Sequence, residues 1–170
     1  MLNCFEFVNA DSIAAGLSPL RPESVSFEAG RIMLDRINKL IDDRADFAFE
    51  TTLSTRSYPS LIKSAKNKGY DIWLLFFWRP SPDMAKERVK LRVENGGHAI
   101  AEDIITRRYY RGVSNLINIY YSLADNWFVF DNTMPKSQLI AGGQNAIVNQ
   151  VANAEIWNII NKLGNERQSI

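Results

Sequence analysis

Cysteine is almost absent from this chain. Cys4 stands alone among 170 residues, so no internal disulfide can form, and a reducing cytoplasmic home is expected. Histidine is equally scarce, with His98 alone. One Cys and one His cannot supply the ligands of a structural zinc site, and no metal site of that kind is expected. Net charge is missing too: 20 Lys and Arg face 19 Asp and Glu, leaving +1. That excludes any general pull toward nucleic acid or a membrane surface and leaves basic chemistry to local clusters. The longest apolar run, Ile72–Trp78, falls far short of the ~20 residues that span a bilayer. The start MLNCFEF has no basic n-region and no signal-peptide core. No repeat or low-complexity tract occurs, although the C-terminal third is rich in Asn.

One further absence concerns chemistry. A phosphate-handling α/β chain usually carries a cradle of the form G-x-x-x-x-G-K-[ST], and no such motif occurs here. The stretch Ala141-Gly142-Gly143-Gln144 is glycine-rich but has no lysine, and it reads as a turn.

What is present centres on residues 46–56, DFAFETTLSTR. Phe47, Ala48 and Phe49 run apolar without a break, as in a strand covered on both faces. The run then changes to Glu50, Thr51, Thr52, Ser54, Thr55 and Arg56, where a ligand crevice lies beyond the carboxyl end of a parallel strand. A strand cap and a threonine turn explain the same residues as well. Around this stretch the chain alternates. Residues 5–9 read as a short strand, with Asp11 just past its end, and a loop holds Gly16, Pro19 and Pro22. A helix is expected over 23–44, the central strand over 47–50, a helix over 58–68 stopped by Gly69, and a strand over 71–78. Ser81-Pro82-Asp83 opens a helix ending at Asn95-Gly96-Gly97. A helix over 102–123, a strand over 127–130, a short strand at 139–140 and an amphipathic helix within 145–167 complete the chain. The class is α/β with a mainly parallel sheet flanked by helices, in one domain covering 1–170.

Three signals carry candidate chemistry. Asp11 and Glu50 both follow strands, and in a parallel sheet they fall at one edge, where an aspartate can serve as general base; two solvated loop acids would look the same. Arg107, Arg108 and Arg111, with Arg88 and Arg92 on the preceding helix, form a basic cluster. Arg108, Arg111 and Asn115 share one helical stripe, suited to a phosphate. A solvated face with Asp103 paired to Arg107 is the plain alternative. Gly96-Gly97-His98 offers a hinge between the arginine-bearing helices, or simply a helix cap.

Taken together, FVNADSIAAGLSP, PESVSFEAGRIML, FAFETTLSTRSY, NKGYDIWLLFFW and GGHAIAEDIITRRYYRG resemble the zeta-toxin-like branch of P-loop kinases, in order from about Phe5 to Asn132. The resemblance implies an ATP- and Mg2+-dependent kinase acting on a hydroxyl of a small substrate; some zeta toxins phosphorylate a UDP-activated amino sugar. It implies Asp11 as catalytic base and Asn9, Glu50, Thr51, Thr52 and Arg56 as substrate-binding residues. Arg88, Arg92, His98, Arg108 and Arg111 become phosphate or lid residues, and Asn132 a neighbour of the base. An antitoxin-like partner is implied as well. Family members begin with a strand, Walker A loop and helix upstream of the FVNAD-type strand, so the expectation is a kinase domain incomplete at its N-terminus and poor in ATP binding. With the central strand missing, direct pairing of 47–50 with 72–78 is expected. The alternative to an enzyme is a non-catalytic nucleotide-sugar- or protein-binding module of a toxin–antitoxin-like system. An RNA-binding role for RRYYR is weaker, since those tyrosines suit the inward side of an amphipathic helix.

Overall fold

A computed structural model describes residues 4–94 and 100–166. The chain divides into two compact units, one from residues 4–51 with 90–94, the other from 52–89 with 100–166.

In the first unit, β1 (Glu6–Val8) lies parallel to β2 (Phe47–Phe49), with Val8 opposite Phe49. Between them run α1 (Ala10–Leu17), a 3-10 turn (Pro22–Val25) and α2 (Ser26–Asp42). The α2 stripe Ala29, Met33, Ile37, Leu40 and Ile41 is buried, with Val8 and Ala14 completing the core. The helical spacing of that stripe dictates the helix. Arg36 ties α2 to β1 through a 2.7 Å ion pair with Glu6. The expected loop after residue 9 instead begins as α1. At eight residues α1 is too short to hold as an isolated helix; the Asn9 cap and the burial of Ala14 secure it.

The second unit holds α3 (Tyr58–Asn67), β3 (Trp73–Trp78), α5 (Glu102–Asn115) with a π turn at Leu116–Tyr120, β4 (Asn126–Asp131), β5 (Gln138–Gln144), β6 (Ile147–Val151) and α6 (Ala154–Asn165). Before α5 comes α4 (Pro82–Glu94), which starts in this unit. The strands are ordered β3-β4-β5-β6. β3 and β4 are parallel and the other pairs antiparallel, so the sheet is partly, not mainly, parallel. Trp78, Trp127, Val129, Ile140 and Ala141 form the sheet side of the core; Val113, Leu116, Ile117, Tyr120 and Ile160 form the helical side. Asp125 fastens one corner, accepting from Lys66 Nζ at 2.7 Å and from the Ile72 N–H at 2.9 Å. Burial works to raise the Asp125 carboxyl, but the Lys66 ammonium and the Ile72 amide outweigh it and hold the group below its ordinary value.

Three expectations are corrected here. Residues 141–144 are strand, not turn: a Cβ at Gly142 would lie 2.8 Å from the Phe128 ring and one at Gly143 2.5 Å from the Trp127 indole, so these glycines serve close packing. Residues 147–151 are strand, not the start of the last helix, which begins at Ala154. The hairpin turn is Asn145-Ala146, both at positive φ (46° and 68°). Asn-Gly is the usual signal for that turn, and an alanine there conceals it. Finally, β2 and β3 do not pair, because β2 takes its ladder from β1 and β3 from β4, in two separate sheets. The expectation assumed one continuous sheet.

Candidate active-site residues

In the first unit the chain builds a small polar centre at the carboxyl ends of β1 and β2. Asn9 and Glu50 are the residues that follow the paired ends Val8 and Phe49, and the Glu50 N–H donates to the Val8 carbonyl at 3.4 Å. Asn9 serves two neighbours at once. Its Oδ1 caps α1 by accepting from the Ser12 N–H at 3.0 Å, and its Nδ2 donates to Glu50 Oε2 at 2.9 Å. Capping fixes the amide orientation, so the Nδ2 donor has to point away from the helix, toward the carboxylate. Asp11 is exposed in the first turn of α1. Glu50 is likewise exposed. Both can therefore meet a substrate from solvent. Beside β1, Glu6, Asn9, Ser12 and Arg36 line a pocket of about 270 Å³.

The second unit holds the loop that begins at Thr52, and α5 with the π turn that follows it clamps the loop at three points. A Cβ at Gly112 would lie 2.5 Å from the Thr52 carbonyl oxygen, so only glycine lets the helix come this close. Asn115 Nδ2 donates to the Leu53 carbonyl at 2.7 Å, and the Tyr120 hydroxyl donates to the Thr55 carbonyl. Leu53, pinned between them, is buried at φ 55°, a left-handed conformation that costs a branched side chain on the order of 1 kcal/mol. The Thr52 and Ser54 hydroxyls share a 2.8 Å hydrogen bond. Arg56 is exposed and lines a separate pocket of about 250 Å³ with Ser114, Asn118 and Glu166. Sequence reasoning missed the clamp. It placed Asn115 on an anion-binding stripe, whereas the side chain is buried and occupied by the loop.

Arg108 and Arg111 are exposed on α5, Arg107 is exposed beside them, and Arg88 is exposed on α4. Among the described residues none of these four makes an ion pair, and Asp103 does not pair with Arg107. Arg92 lies on α4. The Tyr109 hydroxyl turns inward and donates to the Arg79 carbonyl at 2.8 Å; burial pushes its pKa up to about 12, as it does for Tyr120. Asn132 closes the end of β4, its N–H donating to the Trp78 carbonyl at 3.0 Å and its Oδ1 accepting from Ser137 Oγ at 3.0 Å. His98 and the Gly96-Gly97 pair lie outside the described residues.

These residues fit ATP and magnesium only in part. Unpaired guanidinium groups suit phosphate charge. The sequence has no glycine-rich cradle with its lysine and hydroxyl, and no group of three or more His, Cys, Asp or Glu among the described residues could hold a metal ion. No described helix is long and apolar enough to cross a membrane.

Comparison with known proteins adds three findings. The family model described as zeta toxin matches residues 12–134. An uncharacterized protein of Haemophilus influenzae is 33% identical over 102 residues, covering 60% of this chain and 73% of that protein. A chain from the solved structure of the PezAT chromosomal toxin–antitoxin system of Streptococcus pneumoniae superposes with a TM-score of 0.57 at 15% identity. That match covers 94% of this chain and 74% of the other, a likeness of fold.

Proposed function

The chain belongs to the zeta toxin family, and on that premise we propose that it is the substrate-binding and catalytic-base portion of a cytoplasmic toxin kinase that phosphorylates a hydroxyl of a nucleotide-activated sugar. The observation that carries this reading is the 2.9 Å hydrogen bond from Asn9 to Glu50. It locks the FVNAD and FETT segments together at the carboxyl ends of two paired parallel strands, where α/β proteins place their ligands.

In this reading Glu50, oriented by Asn9, accepts hydrogen bonds from substrate hydroxyls, with Thr51 as a further contact; Thr52 and Arg56, in the second unit, are assigned to substrate on the family resemblance alone. Asp11 accepts the proton of the hydroxyl that is to be phosphorylated. Arg88, Arg92, Arg108, Arg111 and His98 are assigned to phosphate, and Asn132 to the nucleotide base. ATP with Mg2+ would supply the phosphoryl group in a complete enzyme. Phosphoryl transfer rests on positioning and charge stabilisation, and without a cradle residues 1–170 by themselves are assigned sugar-nucleotide binding but not turnover. An antitoxin-like protein is the partner we assign, in keeping with the toxin–antitoxin setting of the Streptococcus structure.

Calorimetry with a UDP-activated amino sugar tests this, because it requires neither ATP nor turnover. Binding that weakens about tenfold in Glu50→Gln, the loss of one charge-assisted hydrogen bond, and persists in Asp11→Asn supports the assignment. Absence of binding, or binding indifferent to Glu50→Gln, removes it.

A further inference from the structure

In the second unit the end of α6 is pressed against the π turn that follows α5. A Cβ at Gly164 would lie 2.5 Å from Ile117 Cγ1, so only glycine lets the two segments come this close. Asn118 fastens the junction, its Nδ2 donating to the Gly164 carbonyl at 2.8 Å and to the Ser114 carbonyl at 2.9 Å. Here lies the pocket of about 250 Å³ lined by Arg56, by Asn115, Asn118 and Ile119, and by the end of α6 as far as Glu166. All of its lining residues belong to the second unit. Pockets for drug-sized ligands run from about 300 to 1,000 Å³, so this one takes something smaller than a sugar nucleotide.

Two opposite charges line this small volume and do not meet. Among the described residues Arg56 makes no ion pair, and Glu166 pairs neither with Arg56 nor with Lys162, four residues back on α6. Glu166 is the C-cap of α6. The C-terminal end of a helix is its negative end and favours cations, so carboxylate and helix end together call for a positive group. Two side-chain oxygens add to that demand. Asn115 is buried, and its Nδ2 is committed to the Leu53 carbonyl at 2.7 Å. That bond fixes the amide, and no described residue donates to its Oδ1. Buried polar atoms are as a rule paired, so the partner of this oxygen comes from the pocket. Asn118 repeats the arrangement: its Nδ2 hydrogens go to the Ser114 and Gly164 carbonyls, and no described residue donates to its Oδ1.

We propose that this pocket binds a free α-amino acid or another small zwitterion. The Arg56 guanidinium holds the carboxylate, and Glu166, the end of α6 and the Asn115 and Asn118 side-chain oxygens hold the ammonium. An anion alone would answer Arg56 but meet acceptors that repel it. A cation alone would leave the guanidinium without a partner. A zwitterion answers both, because its ammonium only donates and its carboxylate only accepts. Ile119, half-buried in the same lining, suits a small apolar side chain. Of the kinase reading only the assignment of Arg56 is replaced, and it stood there on resemblance. The rest is untouched, so either proposal can fail without the other.

The test is nuclear magnetic resonance on the intact, isotope-labelled chain, following the Asn115 and Asn118 side-chain amide signals during titration with glycine and with L-valine. At least one of the two should shift these signals and saturate at millimolar concentration or below. Isovalerate lacks the ammonium and isobutylamine lacks the carboxylate; each should bind at least tenfold more weakly than valine, the loss of one set of charge-assisted contacts. Arg56→Gln and Glu166→Gln should each weaken amino-acid binding at least tenfold and leave thermal denaturation unchanged, since neither side chain has an ion-pair partner in the protein to lose. A UDP-activated amino sugar should not displace the amino acid. Any of five results overturns the proposal: no saturable shift with either amino acid, isovalerate or isobutylamine binding as well as valine, binding that survives either variant, a stability loss in either variant that reveals a partner within the protein, or displacement by the UDP-activated amino sugar, which returns Arg56 to the kinase substrate.

Discussion

Gly112→Ala separates what helix propensity demands from what this fold permits. Gly112 sits inside α5, and on propensity alone alanine there should stabilise the helix by about 1 kcal/mol. The structure requires the opposite sign. The new Cβ would lie 2.5 Å from the Thr52 carbonyl oxygen, and ordinary contact begins at 3.4 Å, so helix and loop must part by about 0.9 Å. The loop has no slack to give. Leu53, next to Thr52, is buried at positive φ, and its carbonyl is held by Asn115 one turn along the same helix. Overpacking of this kind costs about 1–3 kcal/mol, and partial loss of the Asn115 hydrogen bond adds about 1 kcal/mol. After the propensity gain, a net loss of about 1–3 kcal/mol is expected. All four tryptophans, Trp73, Trp78, Trp127 and Trp157, belong to the second unit, so denaturation followed by their fluorescence reads this change directly. The control is Gly30→Ala in α2, where nothing lies within 4 Å of the added Cβ; it should stabilise the first unit by about 0.5–1 kcal/mol, read by far-ultraviolet circular dichroism. A Gly112→Ala chain as stable as the parent would refute the clamp.

Four other outcomes follow from the same geometry. Asn9→Ala removes both the α1 cap and the Glu50 partner, and should cost the first unit about 1–2 kcal/mol in chemical denaturation. Tyr109 and Tyr120 have pKa values raised to about 12. The neutral forms are favoured by folding, so their contribution is complete below the ordinary tyrosine value of about 10 and is lost as pH rises from there through 12; ultraviolet titration should show two tyrosines ionising late and together with unfolding. The depressed Asp125 works in the reverse sense, contributing above the ordinary carboxylate range and failing as pH falls through its lowered value, so Asp125→Asn should flatten the acid limb of the stability profile. Calorimetry of residues 1–170 with ATP and Mg2+ should detect no micromolar binding, since the phosphate cradle is absent.

The α/β class, the stripe of α2, the apolar strand at Trp73–Trp78 and the place of Glu50 just past the end of a strand were legible from the residues, because each is written in local periodicity or in the change from apolar run to polar cluster. What the sequence could not disclose lies in contacts between distant segments. Gly142 and Gly143 read as a turn because glycine permits turns, yet the Phe128 ring at Gly142, and the Ile147 carbonyl with the Trp127 indole at Gly143, leave no room for a Cβ inside the strand. Asn145-Ala146 hid a hairpin because an alanine took a φ that its own chemistry disfavours and only the β5–β6 ladder enforces. Asn115 looked like a ligand-binding residue on a helical stripe, and only the approach of the Leu53 carbonyl, 62 positions away, shows that its donor is already taken. The division of the strands into two sheets was beyond reach for a related reason. Each strand's own residues specify its faces through alternation, while its ladder partners are chosen by backbone groups that are identical along the whole chain, so pairing is decided by which edges the tertiary fold brings within hydrogen-bonding distance.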